Sequence, residues 1–184
     1  MADAAEDVAG LPDRTVRLKW PNDLVGADPE GGDGAGRKLG GVLGEAIDID
    51  TDDPRMVVGI GVNAGWAQRD FPPDLAAHMT SLSVLGGGRP VSADDLLGAF
   101  LTRLEARIEA LRAGRFDVAD WTARQLIRHT RVRLVRGTDP ADGEDVVAIG
   151  ADPLTGALVV EDAAAPGGER QVHAGEILRL RAGV

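Results

Sequence analysis

The hydrophobic pattern divides the chain into segments of different period. Residues 15–20 (TVRLKW) alternate apolar and basic side chains, the two-residue repeat of a half-buried strand. Residues 38–48 (KLGGVLGEAID) and 55–63 (RMVVGIGVN) are almost continuously apolar and flank an acidic Asp/Thr/Pro turn. Such runs predict two strands covered on both faces. Residues 2–10 read as the end of a helix closed by Gly10, with a Pro-Asp turn behind it. A second helix is predicted from Ser92, where Asp95 stands three residues on as a variant of the capping box. Leu96, Leu97, Phe100, Leu101, Leu104, Ile108 and Leu111 make its apolar stripe, and Gly114 closes it. Residues 116–128 are expected to form a further helix carrying Trp121. From Thr130 the period shortens again, with β-like pieces at 131–136, 144–149, 157–160, 169–173 and 176–181 between Gly/Asp/Pro turns. That pattern predicts a small barrel and a domain boundary at 129/130. Residues 28–36 read as a flexible Gly-rich loop, 64–90 as irregular, and 163–168 as a hairpin loop.

Composition narrows the class of protein. A hydrophobic fraction of 43% supplies a core for 184 residues. The formal net charge of −10 argues against bulk binding of nucleic acid or anionic membrane, and leaves room for a local cationic pocket. With no cysteine there is no disulfide, thiol nucleophile or thiolate metal site, and the 3 histidines are too scattered for a His-based zinc site. No apolar run approaches the roughly 18 residues of a membrane span. The first ten residues lack the features of a signal peptide, so the expected location is the cytoplasm. Residue usage then points to a region. Of 20 Lys and Arg residues only Lys19 and Lys38 are lysine, and Asn22 and Asn63 are the only asparagines. All four fall between positions 19 and 63. Where arginine serves as the general cation, a retained lysine marks a place for a compact, flexible ammonium.

The segments holding these residues have chemistry of their own. Lys19-Trp20-Pro21-Asn22-Asp23 ends a strand, where open α/β sheets tend to place ligands. Pro21 fixes one backbone angle, while Asn22 and Asp23 either face a ligand or complete an ordinary turn. Asp23 either balances a lysine or offers oxygen to a divalent cation. Arg37-Lys38-Leu39-Gly40-Gly41 opens the next strand. Its two glycines leave backbone open to an anionic ligand and its lysine supplies a point charge. Acyl-adenylate formation needs that combination, because an anionic carboxylate must approach an anionic phosphate; the alternative is a strand entry with a snorkelling lysine. Gly59-Ile60-Gly61-Val62-Asn63 sets glycines two apart on one strand face, a flat wall, with Asn63 placed to read a nucleobase edge. It lacks the third glycine and the following helix of a dinucleotide fingerprint. Trp66 and Phe71, in the loop beyond, are candidates to cover an adenine ring or to anchor the loop.

Taken in order, KWPND, RKLGGVLGE and VVGIGVN resemble the catalytic domain of biotin protein ligases. Ala-His-Met-Thr-Ser-Leu at 77–82, the helical stretch and the C-terminal β-module fit the same pattern. The resemblance implies an α/β (α+β) class II synthetase-like biotin–lipoate ligase catalytic domain over residues 1–129, truncated at its N-terminus. An all-β SH3-like barrel over 130–184 would follow it. It implies activation of biotin with ATP and Mg2+ to biotinyl-5'-AMP, then transfer to a lysine of a biotin carboxyl carrier protein of acetyl-CoA carboxylase or a related carboxylase. By position, Lys38 matches the lysine that contacts the biotin carboxylate and adenylate phosphate. Gly40, Gly41, Gly59 and Gly61 match the pocket backbone. Trp20, Asn22, Asp23, Asn63 and Trp66 match the nucleotide side, with Asp23 nearest the metal. A homodimer, with no membrane or nucleic-acid partner, is the expected assembly.

The chain also departs from the family. The Gly-Arg-Gly-Arg-type loop that clamps biotin and the phosphates, and the strands around it, belong before KWPND, and nothing of the kind precedes Thr15. The chain is therefore expected to be a fragment or part of a split enzyme. The Gly-rich insertion is longer than the pattern, and Gly40-Gly41 stands where Ala-Gly is usual. Two other readings stay open: a lipoate–protein ligase, which also uses an essential lysine, and a non-catalytic binding module. KWPND together with GIGVN favours biotin.

Overall fold

The computed structural model describes residues 1–26, 36–137 and 139–179. It is a mixed α/β protein with two antiparallel sheets, and no described helix is long and apolar enough to cross a membrane. The chain forms two compact units, Met1–Arg17 with Asn22–Phe116, and Leu18–Pro21 with the chain from Asp117. The expected boundary at 129/130 thus falls inside the second unit, at the start of its first long strand.

In the first unit, α1 (Ala2–Ala9) ends as predicted on Gly10, whose φ of 60° is the left-handed conformation of a helix C-cap. Its buried Glu6 accepts the Val16 amide at 2.8 Å. The sheet runs in the order β1 (Val16–Lys19), β2 (Asp23–Gly26), β3 (Arg37–Ile47), β4 (Arg55–Val62). Strand β2 was hidden in the sequence, because its four residues follow directly on a turn-like Pro-Asn pair. The Gly-rich stretch from 28 lies outside the described residues except for Gly36. In the 64–90 stretch, a short helix α2 (Leu82–Leu85) is capped by the Ser81 hydroxyl. Helix α3 (Ala93–Arg112) starts where expected, with Ser92 Oγ accepting the Asp95 amide at 3.1 Å.

Two expectations about burial are corrected. Strands β3 and β4 are not covered on both faces: Leu43, Ile47, Met56, Val57 and Val58 are exposed, Met56 by 70%. The run of apolar residues there comes from a hairpin arm that extends past β2, which ends opposite Arg37–Gly41. Nor is the α3 stripe a core stripe, since only Leu96 in it is buried. Helix α1 packs against one side of α3 and leaves the other open.

The second unit holds helix α4 (Val118–Arg124) and a five-stranded sheet in the order β8 (Glu169–Val172), β7 (Leu158–Glu161), β6 (Glu144–Ala151), β5 (Thr130–Val135), β9 (Glu176–Arg179). Each strand matches a predicted piece, although residues 180–184 lie outside the described set. Alternation sorts the faces: Val132, Leu134, Ala148, Leu158, Val160, Val172 and Ile177 point into one core while Arg131 and Arg133 point out. Trp20, carried on the Leu18–Pro21 segment, completes that core.

Candidate functional site

The first unit's sheet gathers most of the predicted residues. Asp23 sits opposite Gly41 in the β2–β3 pairing, and Gly41 sits opposite Gly61 in the β3–β4 pairing. Between Leu24 and Val25 the register slips, so that Leu24 faces Gly40 and Val25 faces Lys38, leaving Leu39 as an extra residue. Such a bulge resets the alternation of side chains along the strand. It brings the Lys38 stem over Gly41 on the face that carries Asp23: the Lys38 Cε lies 3.9 Å from where a Gly41 Cβ would stand. The Lys38 Nζ is 2.6 Å from Asp23 Oδ1, with Asp23 largely buried and Lys38 about half exposed.

The glycines divide into two kinds. A Cβ on Gly40 would lie 2.1 Å from the Gly61 carbonyl oxygen, so Gly40 is a packing requirement of the bulge. Around Gly61 a Cβ would meet nothing within 4 Å, and at Gly59 only the Leu43 carbonyl oxygen at 3.9 Å. Gly41, Gly59 and Gly61 therefore form a bare backbone strip on the side where the Lys38–Asp23 pair stands.

Hydrogen bonds hold the lysine backbone in place. Lys38 N donates to His78 O at 2.8 Å, and Thr80 N donates to Lys38 O at 2.9 Å. Asn63 fastens the same segment, its Nδ2 donating to Thr80 O at 3.1 Å and its amide to Leu39 O at 2.8 Å. The Asn63 amide donors are thus spent in part on the sheet. Asn22 likewise donates from Nδ2 to Val42 O at 3.0 Å and accepts the Val42 amide with its own carbonyl. The Thr80 hydroxyl is fully buried and has no hydrogen-bond partner among the described residues. The Ala-His-Met-Thr-Ser-Leu segment at 77–82 stood out in the sequence as part of the family pattern, but its role as a strap on Lys38 and Asn63 was not legible there. Trp66 stacks at a tilt on Phe71, with ring centroids 5.2 Å apart. Phe71 is buried and anchors the loop, while Trp66 stays 49% exposed.

Trp20 is placed elsewhere. It is 7% exposed, packed in the second unit's core, and its indole N–H donates to Gly156 O at 3.0 Å. Trp20, expected on the nucleotide side, lies buried in this core, of which Gly41, Gly59 and Gly61 are not part. Among the described residues, no group of three or more His, Cys, Asp or Glu stands together to hold a metal. No protein-family model and no curated protein matches this chain.

Proposed function

We propose that the chain carries the adenylate side of a biotin protein ligase, which condenses biotin and ATP to biotinyl-5'-AMP for transfer to a carrier-protein lysine. The observation that supports this most is the Lys38–Asp23 pair beside the bare Gly41–Gly61–Gly59 strip, with residues of all three sequence motifs meeting on adjacent strands. In this reading the first unit is part of a class II synthetase-like catalytic domain and the second is its SH3-like barrel. The site would work in the cytoplasm.

The chemistry follows from charge. Biotin's carboxylate and the α-phosphate repel each other, and an ammonium between them lowers that repulsion as the carboxylate oxygen attacks the α-phosphorus and the bond to the β-phosphate breaks, releasing pyrophosphate. Asp23 holds the ammonium of Lys38 in position until the anionic ligands arrive and compete for it. The glycine strip lets a flat ligand lie against backbone, and Trp66 offers an exposed ring for the adenine. A Mg2+ bound with the nucleotide would neutralise phosphate charge. Its ligands would be mostly phosphate oxygens, with Asp23 as the protein's oxygen ligand.

Titration calorimetry with ATP and biotin, on the chain joined to a clamp segment of the kind the resemblance implies, tests the reading, with lipoate in a parallel arm. Binding of biotin and ATP with little heat from lipoate is expected. Heat from lipoate alone would assign the site to the lipoate class, and heat from none of them would remove the ligase reading.

A further inference from the structure

Helix α2 begins on a residue with two tasks. Ser81 is fully buried, and its hydroxyl is bonded in both directions. The oxygen accepts the Val84 amide at 3.0 Å, which caps the helix, and the proton goes to the main-chain oxygen of Trp66. A hydroxyl has one proton to donate, and capping uses only a lone pair. The donor half of Ser81 is therefore directed at the residue whose half-exposed ring is the proposed cover for adenine.

The strap that carries Ser81 also seats the lysine. Thr80, whose amide donates to Lys38 O, is followed directly by Ser81, so two residues span the distance from the Lys38 carbonyl to the Trp66 carbonyl. Beyond them, Leu82 N donates to Asn63 O and Ser83 N to Ala64 O, both at 2.9 Å. Main-chain bonds thus tie the loop to the strap as far as Ala64, and at Trp66 the tie is the Ser81 hydroxyl. We infer that Ser81 is a positioning residue for the nucleotide: its hydroxyl sets the place of Trp66 relative to Lys38, so that one ligand meets both. The inference rests on the ligase reading for its nucleotide and on the two Ser81 bonds for its geometry. The bonds that seat Lys38 run through the main chain of His78 and Thr80. Removing the hydroxyl therefore loosens Trp66 and leaves the lysine in place. A ligand spanning the two then loses preorganisation on its adenine side alone.

Ser81→Ala tests this through two readouts. In proton–nitrogen correlation spectra of the chain without ligand, the Trp66 amide and indole N–H signals should move and report faster motion. The Lys38 and Asn63 amide signals should keep their places. In adenylate formation by the chain joined to a clamp segment, KM for ATP should rise about tenfold, with kcat and KM for biotin within about twofold of wild type. In a Trp66→Ala background the same change should raise KM for ATP by less than about twofold, because the ring it positions is gone. Where Ser81→Ala does not fold, Ser81→Cys, which keeps a weak donor, should show the same changes in smaller measure. Trp66 signals that stay in place, Lys38 signals that move with them, or a KM for ATP that is unchanged or rises equally without the Trp66 ring would each overturn the inference with the ligase reading intact. A wild-type protein that makes no adenylate removes the ligase reading and the nucleotide role together, while the spectra still decide whether Ser81 holds Trp66.

Discussion

Gly40 and Gly61 lie on neighbouring strands, one pairing step apart, and do opposite jobs. At Gly40 a single methyl would press on the Gly61 carbonyl oxygen, so Gly40→Ala must shift the bulge and is expected to cost about 1–3 kcal/mol in a denaturant melt. At Gly61 added atoms enter open space, and Gly61→Val is expected to leave stability within about 0.5 kcal/mol. The same change covers the strip on which the ligand is proposed to lie, so binding should fall while the melt stays put. A melt that moves with Gly61→Val as far as with Gly40→Ala would show that both glycines are structural. Lys38 was legible as a special residue because arginine does the remaining cationic work. Its partner was not: which of the nearby acids reaches it depends on the bulge at Leu39, and a bulge leaves no mark in an apolar run.

At the scale of elements, alternation and caps were readable and exposure was not. The Ser92 cap, the Gly10 terminus and the five strands of the second unit follow from local chemistry, which the sequence carries in full. The cover on β3, β4 and α3 depends on what packs beside them, and a hydrophobic run looks the same with or without a neighbour. One element has a pH signature. The turn after β6 is held by Asp152, whose carboxylate accepts the Leu154 and Thr155 amides at 2.8 Å each and the Thr155 hydroxyl at 3.1 Å. The Thr155 amide first, then that of Leu154, hold its pKa below the ordinary carboxylate value; the Thr155 hydroxyl and the charge of His173 add to this. A depressed folded pKa contributes stability above the unfolded carboxylate pKa, and that stability is lost as pH falls through the folded value. Wild type should therefore lose this contribution only in acid, while Asp152→Asn should lack it at neutral pH and show a flatter acid limb. Following the Asp152 carboxyl by NMR checks the cause, since a midpoint at or above the ordinary value would contradict it.

At the scale of the whole molecule, the second unit owes part of its core to Trp20, a residue far from it in sequence. It lies about a hundred residues before the core it fills, yet packs with Val132, Leu134 and Ile177 and caps the Gly156 carbonyl. Trp20→Ala is expected to destabilise the second unit by about 3–5 kcal/mol, read as a lower melting temperature in its transition. An unchanged melt would remove Trp20 from that core. The sequence placed this residue in a ligand motif because a Trp-Pro-Asn-Asp string reads the same whether its ring faces a nucleotide or a second hydrophobic core.

The ligase reading itself turns on whether Lys38 acts on a carboxylate and a phosphate at once. The direct measurement is formation of biotinyl-5'-AMP and pyrophosphate from biotin and ATP with Mg2+, comparing the chain, joined to a clamp segment of the kind the resemblance implies, with its Lys38→Ala variant under conditions where both are folded. The account predicts adenylate from the wild-type chain and a loss of about 10²-fold or more on removing the lysine. Adenylate formed at the same rate by both, or by neither, would contradict it.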